Sequence, residues 1–113
     1  MEDCIFCKII KGEIKSDILY ETEDFIIIND ISHMAKKHYL IIPKLHFAYL
    51  NQVDEEKAKI ISKIMLKIKD IEKVLQLEDG YRLVINQREI AGQTVKHLHM
   101  HILGGEKLGD KFN

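Results

Sequence analysis

Short apolar runs separated by polar turns occupy most of the chain, and one longer stretch in its middle has a different period. Four runs of strand length predict β-strands, and they lie at residues 18–20, 25–29, 38–42 and 81–86. The acidic turn Glu21-Thr22-Glu23-Asp24 predicts a hairpin between the first two runs. The third run is almost wholly apolar, which is typical of a central strand, and Pro43 ends it.

The middle of the chain, residues 54–77, has the period of an α-helix. Its apolar residues recur every three or four positions and form one stripe, which consists of Ile61, Ile64, Ile68, Ile71 and Leu75. Asp54 is a suitable N-cap, and Glu55 and Glu56 complement the positive end of the helix dipole. A shorter apolar pattern over residues 4–10 predicts a helical turn at the amino end.

The run His97-Leu98-His99-Met100-His101 has the most informative pattern in the sequence. Its alternation predicts a strand that holds three imidazoles about 6.6 Å apart on one face, with the apolar residues directed into a core. Histidine can act as a nucleophile, a proton carrier or a metal ligand near neutral pH. The spacing alone leaves both a metal site and a histidine nucleophile open.

These elements predict an α+β domain with an antiparallel sheet of about five strands, one long helix and a short amino-terminal helix. The chain has 113 residues and no repeat or linker, so one domain over residues 1–113 is expected. A net charge of -1 gives no reason to expect a nucleic acid or a membrane as partner. No apolar run approaches the roughly 20 residues of a membrane span, and the first four residues lack a basic signal start, so we expect a cytoplasmic protein.

Cys4 and Cys7 are the chain's two cysteines, and their Cys-x-x-Cys spacing is a weak signal by itself. In the cytoplasm both are expected to be reduced and free to bind a metal. A thioredoxin-like redox motif would need a preceding strand, for which the three residues before Cys4 leave no room. A zinc site would need two further ligands, and the alternative is that both cysteines are small core residues.

Several segments of the chain resemble the nucleoside-phosphoramidase branch of the histidine triad (HIT) family, and they occur in the same order as in that branch. Residues 97–103 match its alternating histidine and apolar signature, and the other matching segments are Cys4-Ile5-Phe6-Cys7-Lys8-Ile9-Ile10, Asn29-Asp30-Ile31-Ser32, His38-Tyr39-Leu40-Ile41-Ile42-Pro43-Lys44 and Gly92-Gln93-Thr94-Val95. The resemblance covers nearly the whole chain and implies the HIT-like fold. It also implies hydrolysis of the P–N bond in purine nucleoside 5′-phosphoramidates, derivatives of AMP or GMP, through a covalent nucleotidyl-histidine.

The resemblance implies a role for each catalytic residue. His99 is the nucleophile, and a carbonyl that accepts a hydrogen bond from its Nδ1–H would leave Nε2 free to attack phosphorus. His101 donates to a phosphate oxygen, and His38 relays a proton towards the leaving group. Thr94 stands where the family usually has serine, and its hydroxyl faces the phosphate or the leaving amine. This chemistry needs no metal, and His33, in a polar loop, has no catalytic role.

The resemblance also implies how the nucleotide is bound. Asp30 accepts hydrogen bonds from the ribose hydroxyls, and Asn86 and Gln93 make polar contacts around the phosphate. The base-pocket positions of the family are all apolar in this chain, and they are Ile5, Phe6, Ile9, Ile28, Ile31 and Leu40.

Bacterial-type relatives with this amino terminus hold a structural zinc ion. Its four ligands in those relatives correspond to Cys4, Cys7, His46 and His97 in this chain. A zinc ion at His97 would leave the chemistry to the other histidines. The relatives form homodimers, so the resemblance also implies a homodimer.

Two other functions remain open. Another branch of the family uses the same nucleophile to hydrolyse dinucleoside polyphosphates, and a nucleotide-binding or interaction module could retain the fold with vestigial activity. The short chain and the Cys-x-x-Cys start favour the phosphoramidase, and intact His38, His99 and His101 argue against lost activity. Residues 106–113 lack the Trp-Pro-Pro segment of eukaryotic members, and the loop 87–91 is poor in glycine, with an arginine, Arg88, that could alter phosphate contacts.

Overall fold

The computed structural model describes residues 3–111 of the chain. The first two residues of the amino-terminal segment and the last two of the divergent tail lie outside the described residues. The fold is α+β, as the sequence predicts, with a five-stranded antiparallel sheet and three α-helices. No helix within residues 3–111 is long and apolar enough to cross a membrane.

The sheet has the spatial order β1-β2-β3-β5-β4, and every neighbouring pair is antiparallel. Its strands are β1 (Ile18–Glu21), β2 (Phe25–Asn29), β3 (Lys37–Pro43), β4 (Tyr81–Val84) and β5 (Met100–Gly104). The predicted hairpin between β1 and β2 is confirmed. The apolar strand β3 is central, as predicted, because it pairs with β2 on one side and with β5 on the other.

The three helices are α1 (Ile5–Ile10), α2 (Glu55–Leu66) and α3 (Ile68–Val74). Asp54 caps α2, because its side chain accepts a hydrogen bond from the Lys57 N–H at 3.0 Å. The predicted long helix is interrupted at Lys67, whose N–H bonds three residues back to the Ile64 carbonyl. One tightened turn of this kind keeps the apolar stripe on one side, so the hydrophobic period gives no sign of the break.

The two faces of the sheet pack against different helices. The first core cluster joins the sheet to α2 and α3 and contains Phe25, Ile27, Ile41, Ile64, Ile71, Leu75, Leu77, Met100 and Ile102. The second joins the opposite face to α1 and contains Cys4, Phe6, Cys7, Ile9, Ile26, Ile28, Leu40 and Ile42. Because successive residues of a strand face opposite sides, the continuous apolar run of β2 supplies both clusters.

The histidine run does not form one continuous strand, and this part of the prediction was wrong. β5 begins at Met100, so His101 lies in the strand, whereas His97 and His99 lie in the segment that leads into it. The neighbouring strand β3 ends at Pro43, which has no N–H for a strand ladder. The Pro43 carbonyl accepts a hydrogen bond from the His97 ring instead, at 2.7 Å.

Candidate active site and metal centre

The His99 ring is held in one tautomer by the backbone. Its Nδ1 lies 2.7 Å from the carbonyl oxygen of His97, and a carbonyl can only accept, so Nδ1 carries the hydrogen. The other ring nitrogen, Nε2, therefore has a free lone pair. Phe6 packs edge-on against the ring, with centroids 5.0 Å apart. This is the tautomer that attack on phosphorus requires.

A second chain of hydrogen bonds fixes the tautomers of His38 and His101. The Met34 N–H donates to His38 Nδ1 at 2.9 Å, so the hydrogen of the neutral His38 ring is on Nε2. That Nε2 lies 2.8 Å from Nδ1 of His101, which accepts the bond. The hydrogen of His101 is then on its own Nε2, and the ring centroid lies 5.2 Å from that of His99. His101 is thus a donor beside the nucleophile.

Asp30 lies against this histidine pair. One carboxylate oxygen, Oδ2, is 3.2 Å from His38 Nε2 and 3.6 Å from His101 Nδ1, while Oδ1 accepts from the N–H and the hydroxyl of Ser32. Burial raises the pKa of Asp30, but the two Ser32 hydrogen bonds and the neighbouring His38 and His101 together lower it below its ordinary value. Burial lowers the pKa of His38. Burial and the neighbouring His99 and His38 rings lower the pKa of His101 to about 4, although Asp30 opposes this shift. Both rings are therefore neutral at pH 7.

The ligand-type atoms of Asp30, His38 and His101 lie close enough together to suggest a metal ion. The tautomer of His38 argues against this interpretation. Because the Met34 N–H occupies Nδ1, the only nitrogen of His38 that faces the cluster already carries its hydrogen and offers no lone pair. The cluster is suited to proton transfer.

Four other side chains form a compact set of metal-type ligands from three parts of the chain: Cys4, Cys7, His46 and His97. Nδ1 of His97 lies 3.3 Å from the Cys4 sulfur and 3.1 Å from Nδ1 of His46, which in turn is 3.3 Å from the Cys7 sulfur. Tetrahedral zinc with sulfur and nitrogen ligands requires separations of about 3.3 to 3.8 Å. The contacts of 3.1 to 3.6 Å come within about 0.2 Å of this range, and all four ligand atoms lie within 4.8 Å of one another, so small side-chain shifts would complete a zinc site.

The surroundings of this set agree with that fit. His97 donates from Nε2 to the Pro43 carbonyl, which leaves its Nδ1 lone pair directed at the cysteines. Burial lowers the pKa of His97 to about 4, so its ring is neutral, as a ligand must be. The Cys4 sulfur accepts from the Cys7 N–H at the start of α1, and both cysteines are free thiols.

The six predicted base-pocket residues divide into a buried and an exposed group. Phe6, Ile9, Ile28 and Leu40 are buried within the second core cluster. Ile5 is 46% exposed and Ile31, directly after Asp30, is 95% exposed. The buried group already packs against other residues, so the exposed pair offers the area that a ligand can still cover. The base pocket itself stays a prediction.

The residues predicted to contact the phosphate differ in whether their side-chain polar groups are free to do so. Both amide hydrogens of the buried Gln93 are used, by the Ala48 and Val95 carbonyls. A phosphate oxygen needs a donor, so a contact from this side chain would require the loop to change. Asn86 is half-buried after β4, and Thr94 is exposed in the wall of a pocket of about 510 Å³.

Sequence reasoning missed two features of the site. The hydrogen bond from the Met34 N–H to His38 is made by the backbone, so no pattern of residue types indicates it. The contact of Asp30 with the histidine pair joins residues from the end of β2 and from β3 and β5, and only the strand register brings them together.

Comparison with known proteins gives consistent matches along almost the whole chain. The HIT domain family model matches residues 11–108. A HIT family hydrolase from Clostridium thermocellum Cth-393 has a solved structure that is 46% identical, with a TM-score of 0.92 and coverage of 100% of this chain and 99% of that one. Protein HitA of Neisseria gonorrhoeae is 41% identical over 104 residues, 92% of this chain and 97% of its own length.

A more distant match carries a more specific name. A histidine triad nucleotide-binding protein from Candida albicans is 36% identical, with a TM-score of 0.78 and coverage of 98% of this chain and 87% of that one.

Proposed function

Since this chain belongs to the HIT domain family and has the fold of its hydrolases, we propose that it cleaves the P–N bond of purine nucleoside 5′-phosphoramidates. The reaction would pass through a covalent nucleotidyl-histidine on His99. The observation that carries the proposal is the bond from His99 Nδ1–H to the His97 carbonyl, which leaves Nε2 free beside the donor His101. The nucleotide-binding name of the Candida albicans relative supports a nucleotide as substrate.

The first step follows from the two fixed tautomers. Nε2 of His99 attacks phosphorus, a P–N bond to the imidazole forms, and the P–N bond to the amine breaks. The positive charge that appears on His99 is stabilised by the His97 carbonyl at Nδ1. Nε2–H of His101 donates to a phosphate oxygen, and the leaving nitrogen takes a proton that comes from solvent, with His38 and His101, in contact at 2.8 Å, as its path. The amine therefore departs neutral, and the histidine pair ends the step with the hydrogens it began with.

The second step reverses the proton flow. Water attacks phosphorus from the side that the amine has vacated, and its proton passes through the same histidine pair to solvent. The bond to His99 Nε2 breaks, which releases AMP and restores the neutral ring. The low pKa of His101 means that the ring does not retain this proton at pH 7 but passes it on.

The nucleoside would bind beside this centre. The carboxylate of Asp30 has the acceptor capacity for ribose hydroxyls, and its lowered pKa keeps it ionised. The exposed Ile31 next to it, and Ile5 of α1, supply apolar area for a base. Thr94 would offer its hydroxyl to the phosphate or to the leaving amine.

We propose that Cys4, Cys7, His46 and His97 hold a structural zinc ion, on the basis of the fit described above. Bound there, the ion would cross-link α1 to the segment before β5, and it would take no part in the reaction. The carbonyl of His97 orients the nucleophile, so rigidity at this ligand also serves the active site. The cytoplasmic location stays a prediction, with which the free thiols agree.

We also propose a homodimer. Strand β4 lies at the end of the sheet, so its outer edge carries backbone groups that no other strand of the described chain pairs with. A second copy of the same edge satisfies them in an isologous contact. Light scattering at micromolar concentration is expected to give twice the mass of the 13.2 kDa chain. A stable particle of the chain's own mass would contradict the dimer.

The proposed substrate class is tested by comparing two reactions. We expect kcat/KM for an adenosine 5′-phosphoramidate to exceed that for a diadenosine polyphosphate by about 100-fold or more, a difference of about 2.7 kcal/mol in transition-state stabilisation. The purified protein is assayed with both substrates under the same conditions. The opposite ratio would support the polyphosphate hydrolase. Tight binding of AMP without turnover of either substrate would support a binding module.

A further inference from the structure

A pocket of about 510 Å³ adjoins Thr94, outside the histidine cluster. Its walls are formed by Tyr49, Arg88, Glu89, Gln93, Thr94 and Lys96. The proposed function places the Thr94 hydroxyl next to the phosphate or the leaving amine. A leaving group that extended from the phosphate past Thr94 would enter this pocket.

Arg88 has a backbone conformation in this wall that glycine normally adopts. Its φ of 71° and ψ of 171° lie in a region that residues with a side chain rarely adopt. The buried Gln93 holds it there. The Arg88 N–H donates to the Gln93 side-chain oxygen at 2.7 Å, and the Arg88 carbonyl accepts from the Gln93 N–H at 3.0 Å. Non-glycine residues in such conformations cluster at functional sites, which directs attention to this side chain.

The side chain of Arg88 is also fixed in place. Its guanidinium carbon lies 4.0 Å from the ring centroid of Tyr49, so the planar group packs on the aromatic face. Packing on a ring leaves the N–H edge of a guanidinium available to a planar or tetrahedral anion. Across residues 3–111, the structure contains no ion pair that involves Arg88 or Lys96. The pocket thus holds two cations, and Glu89 is its one carboxylate.

We propose that this pocket binds an anionic group, a carboxylate or a phosphate, on the leaving amine of the substrate. The inference rests on the proposed function and narrows its substrate class to phosphoramidates whose amine carries a negative charge. Arg88 is the main recognition residue, because it is pre-organised on Tyr49, and Lys96 adds a second positive charge.

The test uses three adenosine 5′-phosphoramidates with amines of similar size: a glycine carboxylate, the matching glycinamide and an aminoethyl phosphate. We expect kcat/KM for at least one anionic substrate to exceed that for the amide by about tenfold or more. The larger of the two ratios identifies the carboxylate or the phosphate as the preferred anion. The amide shares the α-phosphate of the other substrates, so the ratio isolates the leaving group.

Two variants assign the preference to Arg88. Arg88→Gln is expected to abolish the ratio while the amide substrate keeps its wild-type kcat/KM. Arg88→Gly is expected to do the same in a chain that folds at least as well, because glycine adopts this backbone conformation without strain. Lys69→Gln, which removes an exposed charge on α3, is the matched control and should retain the preference.

Three results would overturn the inference. Equal kcat/KM values for all three substrates in the wild type would show that the pocket does not select for a negative charge on the leaving amine. An equal loss for all three in Arg88→Gln would assign the arginine to the α-phosphate. If the wild type turned over none of them, the proposed function would fail and this inference with it, whereas turnover of the amide alone would leave the proposed function standing.

Discussion

Replacing His99 with alanine is expected to lower kcat for an adenosine 5′-phosphoramidate by about 10⁴-fold or more. The loss is this large because the variant has no nucleophile, and the neighbouring histidines cannot act without a covalent intermediate. Affinity for AMP is expected to stay within a few-fold, since Asp30 and the apolar residues near it are unchanged. Steady-state kinetics and calorimetric titration with AMP measure the two effects.

A matched variant separates catalysis from a general effect of losing a histidine. His33 is exposed and has a φ of 42°, a conformation that asparagine tolerates well. The His33→Asn variant is therefore expected to fold normally and to keep kcat within about twofold of the wild type. If His99→Ala retained more than about a tenth of the wild-type kcat, His99 would not be the nucleophile.

Loss of the metal centre is expected to lower the melting temperature by about 15 °C. Zinc at about a thousandfold excess over its Kd stabilises a fold by about 4 kcal/mol, and each kcal/mol is worth about 4 °C in a domain of this size. Its ligands come from α1, from His46 and from the segment before β5, so the ion would join distant parts of the chain. Metal analysis should find one zinc per chain.

Cys4→Ser provides the control for this prediction, because serine keeps the size of the side chain and removes a zinc ligand. Its melting temperature is expected to match that of the zinc-free wild type and to be unchanged by added zinc. A wild type that contained no zinc after expression with zinc, and whose melting temperature did not respond to added metal, would show that the cysteines are core residues.

Much of the fold follows from local pattern. The strand runs, the N-cap at Asp54 and the apolar stripe of the helix all depend on residues close in sequence. The structure confirms them, except that the run predicted over residues 81–86 forms a strand only as far as Val84. The break at Lys67 does not disturb the stripe, so the pattern could not show it. β5 starts late where its ladder with β3 ends at the pair Ile41 and Met100, and only the complete sheet defines that pairing.

The candidate site divides in a similar way. The chemistry-bearing residues stand out in the sequence because imidazoles and cysteines recur at short, regular intervals. The tautomers that decide what each ring can do are set by backbone groups of Met34 and of His97. The position of Asp30 against His38 and the conformation of Arg88 depend likewise on tertiary structure. Residue identity therefore indicates a class of chemistry, and geometry assigns the roles.

The central claim is a covalent nucleotidyl-histidine on His99, and trapping this intermediate tests it most directly. The wild-type protein is mixed with an adenosine 5′-phosphoramidate, quenched in alkali during turnover, digested and analysed by mass spectrometry. We predict that the peptide containing residues 97–101 gains the mass of one AMP residue at His99 and that His99→Ala shows no such adduct. Turnover without an adduct, or an adduct on another histidine, would contradict the mechanism.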